Sequence, residues 1–105
     1  MLPPIPFDYI EYMRANGPFE GFTLEETEPG YVALWPVNKI VEMNSEIEIE
    51  RYAPGFVGFA GNGGGEVLVF DNAGTVFMLP LIGMELTQAI CVAKNFGELA
   101  RRFAR

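Results

Sequence analysis

The stretch APGFVGFAGNGGGEVLVFD, Ala53 to Asp71, constrains the fold more than any other part of the chain. Four glycines fall within the five positions Gly61 to Gly65, with an apolar run on each side. Phe56 to Ala60 and Glu66 to Phe70 both read as strands. Asn62-Gly63 between them is a strong hairpin signal, because both residue types tolerate a positive φ. A second tight turn, Asp71-Asn72-Ala73-Gly74, leads into a third strand, Thr75 to Pro80. Two tight turns in succession leave little choice but an antiparallel meander. There are more glycines than a turn needs, so the close approach of another backbone or a partner stays open. If Gly64 needs a positive φ, valine there damages folding.

Glycine clusters can also hold phosphate, and the flanking residues argue against that here. A Walker loop follows its glycines with a lysine and a hydroxyl residue. Here Glu66 and Val67 follow, and a carboxylate repels phosphate. A dinucleotide-binding loop needs a glycine at position 66 and a helix behind it. The cluster is therefore read as a turn between strands.

The rest of the chain reads as short elements around that meander. Phe7 to Asn16 is expected to be a helix closed by Gly17. Pro18 to Gly30 reads as loop, with a short strand at Phe22 to Leu24. Tyr31 to Trp35 reads as a strand, and Pro36 opens a helix over Val37 to Asn44. Ser45 to Tyr52, SEIEIERY, alternates apolar and acidic residues, as a strand or a partner-binding loop would. Gln88 to Ala93 is expected to be a fourth strand. Asn95 and Glu98 make a capping box for a last helix, Phe96 to Ala104, striped by Phe96, Leu99, Ala100 and Phe103. Arg101, Arg102 and Arg105 crowd its last turn, where they favour the helix dipole. The class is α+β, with a meander of about four to five strands flanked by N-terminal, middle and C-terminal helices.

Composition narrows the chemistry. A chain of 105 residues, half of them apolar, suits one domain. With no histidine, one serine and one cysteine, it cannot build a Ser-His-Asp, Cys-His or Cys/His zinc site. The inventory leans away from an enzyme and towards a binding module, with no cofactor and no metal. Asp71 to Gly74 lacks the oxygen ligands of a calcium loop, so Asp71 is expected to brace its turn. Cys91, within AICVA, reads as a buried inert thiol. There is no secretory signal and no membrane-length apolar run, so the expected location is the cytoplasm.

Charge is the most informative bulk property. The net charge is −7. Glu20, Glu25, Glu26, Glu28, Glu42, Glu46, Glu48 and Glu50 face Lys39 alone within one segment. Such an acidic lobe repels nucleic acid and attracts basic surfaces. It reads equally as a solvated face that keeps a small protein soluble.

The run PGFVGFAGNGGGEVLVFD resembles the signature of the SUKH superfamily, the Smi/Knr-like domains. Pro54, Gly55, Phe56, Phe59, Gly63, Gly64, Gly65, Phe70 and Asp71 match its Pro-Gly-aromatic start, glycine turn and closing aspartate. LPP at Leu2 to Pro4 with Asn16-Gly17, Leu34-Trp35, and AKNFGEL at Ala93 to Leu99 are similar to its outlying segments. The first-helix aromatic pair is shifted here to Phe7, Tyr9 and Tyr12, and Asn95 replaces a serine. Members usually carry a helix before the LPP segment. The expectation is thus a single domain over residues 1–105 without that helix.

The resemblance implies a non-enzymatic protein-binding module. Bacterial members are immunity proteins that bind a cognate, often nuclease, toxin; fungal relatives are linked to cell-wall synthesis and signalling. The implied partner is a basic toxin domain, with a regulatory scaffold lacking a toxin partner as the alternative. The expected contact face is Glu25, Glu26, Glu28, Glu42, Glu46, Glu48 and Glu50. Trp35 and Tyr52 are either aromatic anchors or core positions.

Overall fold

Strand β4, Glu66–Phe70, is apolar on both faces, and this sets the layering of the molecule. The computed structural model describes Met1 to Ala104. In order come α1 (Phe7–Asn16), β1 (Glu20–Phe22), β2 (Tyr31–Leu34), a 3-10 turn (Val37–Lys39), α2 (Ile40–Glu46) and α3 (Ile49–Tyr52). Then follow β3 (Val57–Gly61), β4, β5 (Val76–Pro80), a second 3-10 turn (Leu86–Gln88), β6 (Ile90–Ala93) and α4 (Phe96–Ala100). The strands form one antiparallel sheet in the order β1-β2-β3-β4-β5-β6. The class is α+β, and the six strands exceed the four to five expected.

Alternation along β4 sends its residues to two cores. Leu68 and Phe70 join Tyr9, Phe59, Phe96 and Leu99 under α1 and α4. Val67 and Val69 join Ile49, Ala53, Leu79 and Met84 on the other side. In the first core Phe59 stacks on Phe70 with centroids 4.0 Å apart. The Tyr9 ring meets Phe59, Phe70 and Phe96 edge-on at 5.4, 5.9 and 5.0 Å. Such ring pairs add about 0.5–1.5 kcal/mol each beyond burial alone.

Polar groups inside these layers are paired. The Tyr9 hydroxyl donates to the Trp35 carbonyl at 2.6 Å, and the Trp35 N–H donates to the Phe59 carbonyl at 2.8 Å. Asn44 of α2 is buried. Its amide nitrogen donates to the carbonyls of Ile40 (2.7 Å) and Gly58 (2.9 Å), and its carbonyl accepts the Gly58 N–H at 2.7 Å. Asn44 thus serves both main-chain groups of Gly58, where the β3–β4 register shifts. Gly58 is closely covered: a Cβ there would crowd the Trp35, Val67 and Asn44 side chains at 3.1–3.2 Å.

Several expectations need correction. Ser45 to Tyr52 is helical, not a strand or an open loop. β2 pairs directly with β3, so the intervening segment is not inserted between them as a strand. It closes α2, turns at Glu48, whose φ is 53°, and resumes as α3, burying Ile49 and Ala53 against β4. The early strand is Glu20–Phe22 rather than Phe22 to Leu24, because Thr23 is held to Gly30 and Phe103. Helix α4 stops at Ala100. Arg102 and Phe103 then bond to residues three back, and the chain turns to cover the outer edge of β1. There Thr23 bridges Phe103, Leu24 N–H donates to Arg102 O at 2.6 Å, and Ala104 N–H to Phe22 O at 2.9 Å. Cys91 is exposed, not buried: it lies in the outer half of β6, the edge strand, where Ile90 is exposed as well, and only Val92 and Ala93 reach the core. Arg105 lies outside the described residues.

The glycine turn also differs in detail. Gly63 and Gly65 carry positive φ values, 76° and 89°, while Gly64 does not. The Gly64 requirement therefore falls away, and the strain sits on either side of it.

Asn44→Ala leaves both polar groups of Gly58 buried and unpaired, and should cost about 2–4 kcal/mol in chemical denaturation. Tyr9→Phe should cost about 1 kcal/mol. Burial pushes the Tyr9 phenol above its ordinary pKa near 10. The stability this contributes is present below pH about 10 and is lost as pH rises beyond it. Unfolding curves should therefore steepen against pH in that range for the parent and less so for Tyr9→Phe. Finally, Gly63→Ala should cost roughly 1–2 kcal/mol for its left-handed backbone. Gly64→Ala should stay within about 0.5 kcal/mol of the parent.

Candidate protein-binding face

An up-and-down meander puts alternate connections at opposite ends of the sheet. The β1–β2 loop, the β3–β4 turn and the β5–β6 loop share one end of the sheet. Each of the three contributes different chemistry.

The β1–β2 loop carries Glu25, Glu26 and Glu28, all exposed. The buried Thr23 ties the loop together: its hydroxyl donates to Thr27 O and accepts from Gly30 N–H at 3.0 Å. Arg102 fastens it from below by donating to Glu28 O at 3.0 Å and to Val92 O at 2.9 Å. The three side chains are thus held out to solvent by a fixed backbone.

The β3–β4 turn closes on itself. Asn62 Oδ1 accepts from Gly64 N–H (2.9 Å) and Glu66 N–H (3.1 Å), and Asn62 Nδ2 donates to Glu66 Oε1 at 2.8 Å. Amides that a phosphate would recruit are engaged by Asn62, with a carboxylate beside them. Gly65 O accepts from Leu81 N–H at 2.9 Å, joining this turn to the β5–β6 loop. At the opposite end of the sheet, Asp71 Oδ1 accepts from Ala73 and Thr75 N–H, both at 2.9 Å, and braces its turn.

The β5–β6 loop supplies apolar surface. Ile82 is 94% exposed, and Leu81 and Leu86 are also exposed. A recess of about 340 Å³ lies between Leu81, Gly83 and Met84 on one side and Ile47, Glu48 and Tyr52 on the other. Helix α3 therefore reaches the loop end of the sheet through Glu48 and Tyr52. The Tyr52 ring is exposed, with the Arg51 guanidinium 5.1 Å from its centroid.

The other sites expected from sequence are placed as follows. Glu42 and Glu46 are exposed on α2, and Glu50 on α3. Glu42 lies 4.0 Å from Lys39, Glu48 3.5 Å from Arg51, and Glu50 pairs with the terminal amine of Met1. Exposed pairs of this kind are weak, so the face keeps its negative field. Trp35 is half-buried, with its ring over Gly58. Pro54 is exposed, Gly55 turns the chain out of α3 with φ 94°, and Phe56 packs on Phe77 at 5.3 Å. The expected glutamates thus form two groups, one in the β1–β2 loop and one on α2–α3.

Leu81, Ile82 and Leu86 were not anticipated as surface residues. The signal was available: PLIGMEL places four large apolar residues around Gly83, between a strand and a turn, where no strand or helix pattern would bury all of them.

Among the described residues, no group of three or more metal-ligating side chains gathers, and no helix is long and apolar enough to cross a membrane. These features define a small α+β domain whose polar and apolar surface loops cluster at one end of a meander sheet. Comparison with protein families matches residues 4–102 to the SMI1 / KNR4 family (SUKH-1). The match covers nearly the whole chain, and the protein belongs to this family. Among curated proteins, none matches the chain.

Proposed function

We propose that the protein is a non-enzymatic binding module that captures a basic protein partner at the loop end of its sheet. The observation that carries this reading is the juxtaposition of exposed apolar side chains with carboxylates. Tyr52 and Leu81 line one recess with Glu48, the neighbouring Ile82 is exposed, and the Gly65–Leu81 hydrogen bond ties the β5–β6 loop to the glycine turn. Apolar anchors ringed by charge are the usual anatomy of a protein interface. A solvated face kept only for solubility has no use for an exposed Ile82.

Family membership supports an immunity or regulatory role. The acidic balance favours immunity against a nuclease-type toxin. Such toxins carry basic surfaces to hold phosphates, and an acidic inhibitor both covers that surface and is steered to it. In this reading the protein acts in the cytoplasm of the producing cell, through Glu25, Glu26, Glu28, Glu42, Glu46, Glu48, Glu50 and Tyr52. A regulatory partner could use the same face, so the two roles differ in what is bound rather than where.

The test is affinity capture from host lysate at low and high salt. Immunity predicts one dominant basic partner, released as salt rises. Several weak partners that persist would favour the regulatory role. With the partner in hand, Glu46→Lys, Glu48→Lys and Glu50→Lys together should slow association by about tenfold or more. An unchanged rate in stopped-flow measurements would remove the α2–α3 face from the interface.

A further inference from the structure

Of the three glycines in the turn after β3, Gly63 to Gly65, one is not explained by folding. Gly63 is needed twice, for its φ of 76° and because a Cβ there would meet the Tyr31 ring at 3.1 Å. Gly65 is needed for its φ of 89°. Gly64 has neither requirement. A Cβ at this position would touch only the Asn62 side chain, at an ordinary 3.6 Å or more.

Gly64 lines a recess of about 510 Å³ with Glu20, Phe22, Tyr31, Asn62 and Gly63. The Phe22 and Tyr31 rings meet at 76° with centroids 5.4 Å apart, as two walls of a corner. Phe22 is 70% exposed, which leaves its ring open to solvent. Glu20 accepts a hydrogen bond from the Tyr31 hydroxyl, which fixes one carboxylate oxygen beside the aromatic wall. No residue lining the recess is cationic.

We infer that this recess receives an arginine side chain from the basic protein partner. A guanidinium is flat, permanently charged and weakly hydrated, so it can stack on an aromatic face. Its edge can at the same time donate to a carboxylate. Two perpendicular rings, one carboxylate and a floor free of side chains meet those needs together. The absent side chain at Gly64 keeps that floor open. Lysine fits less well, because a compact ammonium stays strongly hydrated and cannot stack as a plane. The recess adjoins the face proposed above through Gly65 and Leu81, and the inference rests on that binding reading.

The test needs no identified partner. A capped Gly-Arg-Gly peptide is titrated into the labelled protein and followed by amide chemical shifts, with citrulline and lysine versions as controls. The arginine peptide should give saturable shifts confined to Glu20, Phe22, Tyr31, Gly63 and Gly64. The neutral citrulline peptide, of nearly the same shape, should bind at least about tenfold more weakly, and the lysine peptide more weakly than arginine. Glu20→Gln and Phe22→Ala should each abolish saturation. Gly64→Leu should block the recess with the thermal midpoint unchanged. Equal binding of citrulline or lysine would overturn the inference. So would shifts spread evenly over the loop and helix glutamates, which would mean general charge attraction. If the peptide binds here while the triple lysine variant leaves partner association unchanged, the α2–α3 face fails and the recess stands. If that variant slows association but the recess variants do not, the recess fails and the binding reading stands.

Discussion

The molecule is organised by the need to bury β4 from both sides. Val67 and Val69 point one way, Leu68 and Phe70 the other, and all four are fully buried. A strand of this kind cannot lie at a surface, so each face of the sheet must carry a layer. Helices α1 and α4 provide one. Helix α3 and the β5–β6 loop provide the other. With only 105 residues, no element is long, and each cover is made of pieces of one to three turns. Covers that short cannot rely on helix propensity and depend on what they touch.

Two polar joints make those short covers specific. Tyr9 anchors α1 through the Trp35 carbonyl, and Asn44 anchors α2 through both main-chain groups of Gly58. Each joint couples a helix to backbone rather than to a side chain, so it fixes position as well as proximity. Both sit close to Trp35, whose N–H bonds Phe59 O and whose ring lies over Gly58. That single neighbourhood sets the relation between the sheet and its N-terminal and middle helices. The loop end of the sheet is therefore displayed by a frame whose joints lie elsewhere.

Much of this was legible in the sequence, for local reasons. The meander from Val57 to Pro80 follows from alternation and turn residues, and both are short-range signals. Helix α1 and its Gly17 close were legible in the same way, as was the Asn95 cap, which accepts from Glu98 N–H at 2.8 Å. What was not legible depended on distant partners. EIEIE alternates like a strand, but β2 and β3, which flank it in sequence, pair with each other. Cys91 looked buried in an apolar run, but β6 lies at the sheet edge. For the site, the acidic residues were visible, while their division into a loop group and a helix group required the topology. Which glycine of the cluster mattered also required the ring of Tyr31, thirty-two positions away from Gly63 in sequence.

The cover over the outer edge of β1 has a consequence for the order in which the protein can be completed. β1 is the first strand made, yet its free edge is closed by Arg102, Phe103 and Ala104. A nascent chain must therefore carry an unsealed strand through the synthesis of all five others. An open edge of that kind invites pairing with a neighbouring chain. β1 is short, only Glu20–Phe22, and opens with a carboxylate. Brevity and charge are the two properties that make a waiting edge a poor template. The first strand is thus safe to leave unfinished until the last helix has turned back to it.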